Sequence, residues 1–251
     1  MKNFIRLLYI VIAIVVMGGC SEKNTREEYD ISIISKNKIS LFKQENRLIK
    51  LQKEIKRKED YGFLKEDCYD LKDKMFLKTT VVGKDALLAK IDKESLNIKL
   101  KDDNSEPYTF THYKNKIYAT TVFTDRFSII EYDENFKEVN KKDIKKEGIN
   151  VTNDIQVYKD NIYILGGNID KNNQLRNLIW KFDMSYNFVD EIDLNYSQGA
   201  YMRFYIKDDV IYLTQNSQGL TEKNEPKGSN KLLKYDLNTK NTELVTLNYA
   251  Y

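Results

Sequence analysis

Asp160-Asn161-Ile162-Tyr163-Ile164-Leu165-Gly166-Gly167, followed by Ile179-Trp180-Lys181-Phe182-Asp183, is the stretch from which the architecture is read. Its first half opens on Asp and Asn, whose short side chains bond nearby backbone and tolerate the left-handed region, favouring a tight turn. A β-branched and aromatic run follows, which suits a pleated, half-buried strand. The second half is another apolar strand, and its closing Asp183 starts a further turn.

Both halves recur. The strand with a closing aspartate returns as Leu232-Leu233-Lys234-Tyr235-Asp236, Ile129-Ile130-Glu131-Tyr132-Asp133 and Leu88-Ala89-Lys90-Ile91-Asp92. A fifth copy, Leu48-Ile49-Lys50-Leu51-Gln52, lacks the Asp, and the last positions lie 40, 41, 50 and 53 apart. The turn-and-strand motif returns as Asn115-Lys116-Ile117-Tyr118 and Asp209-Val210-Ile211-Tyr212. Weaker copies are Asp73-Lys74-Met75-Phe76 and Asn37-Lys38-Ile39-Ser40, and here the steps are 36, 42, 45 and 49. Two motifs drifting together mark an internal repeat. With a fourth strand such as Thr242 to Leu247, each unit reads strand, turn, strand, longer loop, strand, turn, strand. Between positions 44 and 60, Leu48, Leu51 and Ile55 have helical spacing; the repeat register predicts a strand there instead.

Four strands in 40–50 residues is the size of a β-propeller blade. The segment 161–167, with Trp180 and Phe182-Asp183 after it, resembles a kelch repeat. In that family a Gly pair ends the second strand and a later aromatic packs between blades. Two other units carry Ala119-Thr120-Thr121 and Leu213-Thr214-Gln215 where the Gly pair would stand, and no Trp-Asp dipeptide or sialidase Asp-box occurs. The resemblance implies an all-β fold over residues 30–251, a β-propeller-like array of about five four-stranded blades. A β-sandwich of about ten strands is the alternative.

Composition narrows the function. The 251 residues include 41 Lys and Arg against 38 Asp and Glu, for a formal charge of +3, too balanced for a dedicated nucleic-acid binder. A single His excludes His-based metal clusters, and two Cys exclude a disulfide scaffold. Cys68 reads as a half-buried small hydrophobe.

The chain begins with Lys2 and Arg6, then an unbroken apolar run from Leu7 to Met17. Eleven residues at about 1.5 Å each cannot cross a hydrocarbon core of about 30 Å. A charged start, a short apolar segment and small residues before a cut site read as a secretory signal. Met17-Gly18-Gly19-Cys20 resembles the bacterial lipobox. In that family the cysteine thiol receives a diacylglyceryl group and becomes residue one. The resemblance implies a signal peptide over 1–19, lipidation at Cys20, a polar tether over 20–29, and a lipid-anchored domain on the extracytoplasmic face of the cell membrane. Without Lys2 and Arg6 the formal charge falls from +3 to +1, so attachment rests on acyl chains and not on basic surface.

No nucleophile elbow, Walker loop, dinucleotide fingerprint or zinc spacing occurs. Asp170 to Gln174 has alternating oxygen ligands, but Leu175 and Lys181 stand where a calcium loop needs Gly and Glu. The expectation is therefore no cofactor and no metal. Lys141 to Glu147 alternates cations with acids and reads as a solvated strand edge. Recognition is expected in the loops that lengthen the repeat, Gly166 to Asn177 with Arg176 and Thr214 to Asn230 with Asn216. Tyr201, Arg203 and Tyr205 alternate along a first strand and would share one face. His112 is the remaining candidate, placed on another first strand. The function expected is binding of a protein, peptide or glycan partner. The alternatives are a cell-envelope hydrolase or lyase using carboxylates with His112, and an accessory subunit of an envelope complex.

Overall fold

The computed structural model describes residues 31–34, 38–45, 48–56, 61–81, 84–101, 109–122, 126–145, 149–169, 175–194, 201–215 and 231–246. The leader, Cys20, the tether, Asp170 to Gln174 and Asn216 lie outside the described residues. All described regular structure is β-strand, and the chain divides into two units, 1–104 and 105–251.

The first unit holds two antiparallel sheets. Sheet 1 runs β1 (Ile31–Ile34), β2 (Lys38–Glu45), β3 (Leu48–Lys56), and sheet 2 runs β4 (Tyr61–Asp70), β5 (Lys74–Val81), β6 (Lys84–Asp92), β7 (Ile98–Leu100). Leu48–Lys56, within the stretch of helical spacing, is thus a strand. Its helix-like spacing comes from a bulge: Leu41 pairs with Lys53 but Phe42 pairs with Leu51, leaving Gln52 extra. Ile55 faces the core and Leu51 is half exposed. Ile39, Leu41 and Ile55 pack on Met75, Leu77, Ala89 and Ile91, with half-buried Cys68 beside them. Buried Lys93 pairs with Asp70, whose other oxygen accepts from Ser32 Oγ at 2.5 Å.

The second unit holds three sheets in strict meander order. Sheet 3 is β8 (Thr109–Tyr113), β9 (Lys116–Val122), β10 (Phe127–Asp133), β11 (Glu138–Ile144). Sheet 4 is β12 (Ile149–Tyr158), β13 (Asn161–Ile169), β14 (Leu175–Asp183), β15 (Phe188–Asp193). Sheet 5 is β16 (Tyr201–Lys207), β17 (Val210–Gln215), β18 (Lys231–Asp236), β19 (Thr242–Thr246). Four of the five sheets therefore have the expected four strands, and sheet 1 has three among the described residues. The Lys-rich strand β11 is an exposed edge, as its charge alternation predicts.

Apolar residues from facing sheets fill the space between them. Tyr118, Phe127, Ile129, Ile162, Ile164 and Trp180 pack between sheets 3 and 4. Leu165, Ile179, Phe204, Ile211, Leu213 and Leu233 pack between sheets 4 and 5. Trp180 is fully buried and stacks on Phe127 across the first of these spaces, ring centroids 5.1 Å apart. Its Nε1–H donates to Glu191 Oε2 at 3.0 Å. Gly166 is what lets the ring lie there. A Cβ at Gly166 would stand 2.3 Å from the Val151 carbonyl oxygen and 2.6 Å from the Trp180 ring.

Candidate functional site

Strand direction gives each sheet of the second unit two different ends. At the hairpin end the first and second strands join through two-residue turns. Both central residues have positive φ, Lys114 and Asn115 at 47° and 61°, Lys159 and Asp160 at 46° and 54°, Asp208 and Asp209 at 50° and 61°. This is the turn whose twist matches a right-twisted hairpin. The third and fourth strands join through turns capped by an aspartate. Asp133 Oδ1 accepts from the N–H groups of Asn135 and Lys137, Asp183 Oδ1 from Ser185 and Asn187, and Asp236 Oδ1 from Asn238 and Thr239. Those backbone donors, Asn187 foremost for Asp183 and Thr239 for Asp236, hold both carboxyls below the usual aspartate range.

Neighbouring hairpins are also latched. Tyr113 Oη and Lys114 Nζ donate to Asp160 Oδ1 of the next sheet at 3.0 and 2.6 Å. Tyr158 Oη and Lys159 Nζ donate to Asp209 Oδ1 of the sheet after at 3.2 and 2.7 Å. Deeper at this end, buried Glu131 accepts from Tyr186 Oη and pairs with Lys116 at 2.5 Å. Burial, then this carboxylate, raises the Tyr186 hydroxyl, and burial pushes Tyr118 up to about 12.

The loop end is built differently. Here β12 and β16 each carry a bulge at the same step from their hairpins. Thr152 pairs with Gly166 and Asp154 with Leu165, leaving Asn153 extra. Tyr201 pairs with Gln215 and Arg203 with Thr214, leaving Met202 extra. The bulges aim the side chains of β12 at the free backbone edge of β16. Asn153 Nδ2 donates to Tyr201 O at 2.8 Å, Gln156 Nε2 donates to Phe204 O, and the Phe204 and Ile206 N–H groups donate to Asp154 Oδ2 and Gln156 Oε1 at 3.1 and 3.3 Å. Asp154, 5% exposed, pairs through its other oxygen with Arg203 Nη1 at 3.3 Å. Between sheets 3 and 4, Thr120 and Thr152 share a hydroxyl hydrogen bond of 2.9 Å. Buried Thr109 and Thr121 have hydroxyls with no hydrogen-bond partner among the described residues.

The sequence-derived candidates fall into this frame unevenly. Tyr201, Arg203 and Tyr205 do not share a face, because the Met202 bulge breaks their alternation. Tyr201 is buried with Phe204 and Ile206, while Arg203 and the 42% exposed Tyr205 point to the other side. Arg176 is not in a loop: β13 runs on to Ile169 and β14 begins at Leu175, so Arg176 pairs in the sheet with Asn168. Its Nη2 contacts Asp193 Oδ2 at 2.5 Å and Glu191 Oε1 at 3.7 Å. His112 lies on the edge strand β8 at the hairpin end, its Nε2 2.9 Å from Glu134 Oε1. An ionised carboxylate only accepts, so Nε2–H is the donor. The pair ties the turn after β10 back to β8. No group of three or more His, Cys, Asp or Glu placed to hold a metal occurs among the described residues. Asp154, Asn153 and Gln156 were not evident from sequence. Their signal is faint: counted back from the hairpins, Thr109, Asp154 and Arg203 occupy one repeat position.

Comparison with known proteins places the fold. No family model matches the chain, and no curated protein matches it. Among solved structures it is similar to the Neurospora crassa Pan2 WD40 domain, with 10% identity, a TM-score of 0.56, and 84% of this chain covered. It is also similar to a subtype N10 neuraminidase-like protein of A/little yellow-shouldered bat/Guatemala, with 12% identity, a TM-score of 0.48, and 73% of this chain covered. The chain spans 60% of the first structure's length and 58% of the second's. The WD40 likeness shows a β-propeller fold, assembled without the Trp-Asp dipeptide. Fold alone does not assign a ligand.

Proposed function

We propose that this chain is a lipoprotein, lipidated at Cys20 and anchored at the extracytoplasmic face of the cell membrane, whose propeller binds a protein, peptide or glycan partner. Residues 1–19 are the signal peptide, 20–29 the tether and 30–251 the binding domain. The lipobox-like Met17-Gly18-Gly19-Cys20 motivates the anchor. The observation that carries the binding reading is the difference between the two ends of sheets 3 to 5. Tight turns and latches occupy the hairpin end. Half-exposed Arg203 and exposed Arg176 stand at the loop end, on the strands β16 and β14 that follow residues 195–200 and 170–174 in sequence. Recognition on rigid scaffolds concentrates at such connections.

Chemical cross-linking on intact cells carrying the full chain, with mass spectrometry of the adducts, tests this. The reading expects one enriched envelope partner joined through residues 166–177 or 214–230, weakened at least tenfold by Arg176→Ala with Arg203→Ala. Adducts joined only through the hairpin turns, or none through either segment, overturn it. For the anchor, palmitate incorporation is lost in Cys20→Ala; undiminished labelling overturns that part alone.

A further inference from the structure

Among the described residues, the last strands of sheets 3 to 5, β11, β15 and β19, are each bonded to one neighbour and leave a row of backbone donors and acceptors on their other side. Soluble proteins block such edges with charge. β11 does so with Lys141 and Lys142, and β15 with Asp190, Glu191 and Asp193. β19, Thr242-Glu243-Leu244-Val245-Thr246, carries one charge, and Lys234 Nζ contacts that Glu243 at 3.5 Å. Leu244, at its centre, is 40% exposed.

The three edges also differ in what full-overlap antiparallel self-pairing would set face to face. In β11 Lys141 would oppose its own copy. In β15 Asp190 would oppose Glu191. In β19 Leu244 opposes Leu244, Glu243 opposes Val245, and Thr242 opposes Thr246. The first two arrangements set like charges against each other at their centres, and the third opposes no like charges and brings Leu to Leu and Thr to Thr. We propose that β19 pairs with β19 of a second copy of this chain, antiparallel about a two-fold axis at Leu244, so that two four-stranded sheets become one of eight. A two-fold contact uses the same patch on both copies and closes after two. Two five-residue edges bury little area, so the dimer is concentration-dependent.

The register makes the test specific. Facing Cα atoms in an antiparallel pair lie about 4.5–5.5 Å apart, within disulfide reach. Thr242 and its copy would be offset by four steps, roughly 13 Å along the strand. In the purified full chain under mild oxidation, Leu244→Cys forms a covalent dimer above the parent's level. Thr242→Cys alone and Thr246→Cys alone do not, and the double variant does. By sedimentation velocity, Leu244→Lys raises the dimer dissociation constant at least tenfold, with circular dichroism unchanged because the site is exposed. Linking of Leu244→Cys no greater than that of a Val139→Cys control on β11 overturns the proposal. So does a dimer that survives Leu244→Lys.

Discussion

The hairpin end and the loop end of sheets 3 to 5 are made from the same strands but held by different physics. At the hairpin end the decisive interactions within each turn are short in sequence, an αL pair and an aspartate capping the turn that follows it, to which the Tyr-Lys latches add contacts with the next hairpin's Asp 46 to 51 positions away. At the loop end they run between residues about fifty positions apart, as in Asp154 with Phe204 or Asn153 with Tyr201. Local interactions survive small displacements of one sheet against another, whereas the cross-sheet set depends on both sheets being in place. The loop end should therefore be the more sensitive to core and bulge substitutions, and the hairpin end to changes of turn chemistry.

The largest effect expected is at Trp180, whose ring reaches over Gly166 and stacks on Phe127. Trp180→Ala removes a large, fully buried side chain and should cost about 3–5 kcal/mol. Gly166→Ala puts a methyl against a backbone oxygen and should cost at least the roughly 1–3 kcal/mol of overpacking. Chemical denaturation followed by circular dichroism measures both. A loss under about 1 kcal/mol for either would mean the sheets are not held together here.

Next is Asp154→Ala. It leaves the Phe204 N–H and the Arg203 guanidinium without their acceptor, for about 2–3 kcal/mol. Arg203→Ala, at a half-exposed side chain, should cost well under that. Equal costs in denaturant melts would mean the ion pair matters to stability and the bulged edge does not.

These features were unequally legible. Asn115, Asp160 and Asp209 announced their turns because αL tolerance belongs to the residue itself, and Asp133, Asp183 and Asp236 announced theirs because a carboxylate can cap its own turn. The strand–turn–strand order of three sheets followed from them. The repeat also placed β3 correctly where helical spacing misled. What stayed hidden were bulges. The extra Gln52, Asn153 and Met202 have no fixed residue type, yet each flips every side chain beyond it. That is why Tyr201 and Tyr205 lie on opposite faces and why Asp154 escaped notice. Arg176 was misplaced because β13 and β14 extend past the length the shorter repeats suggested.

The hairpin end is probed by turn chemistry. Asn115 has φ of 61°, and Asn115→Val forces a β-branched residue into the left-handed region for about 1–2 kcal/mol. Asn115→Gly should be neutral or slightly stabilising. If thermal melts show Val and Gly alike, the turn is not what holds this end.

The smallest effect lies in the latches, and it carries a pH signature. Lys114, then the Tyr113 hydroxyl, holds the Asp160 carboxyl below its ordinary range, and Lys159 does the same for Asp209. A depressed carboxylate contributes stability that is present above the unfolded value of about 3.9 and is lost as pH falls through the lower folded value. The raised Lys114 and Lys159 contribute below about 10.4 and lose that contribution as pH rises through their folded values. Asp160→Asn with Asp209→Asn should therefore lower neutral-pH stability slightly and flatten the acid limb of the melting-temperature profile below about pH 4 by the same small amount, because Lys114, Lys159 and Asp160 are solvent-exposed and Asp209 is only half-buried. The loop-end pair gives the contrast. Asp154→Asn should lower stability across the neutral range, since its loss is one of buried geometry and not of screened charge. A neutral-pH loss from the hairpin variants as large as that from Asp154→Asn would erase the distinction between the two ends.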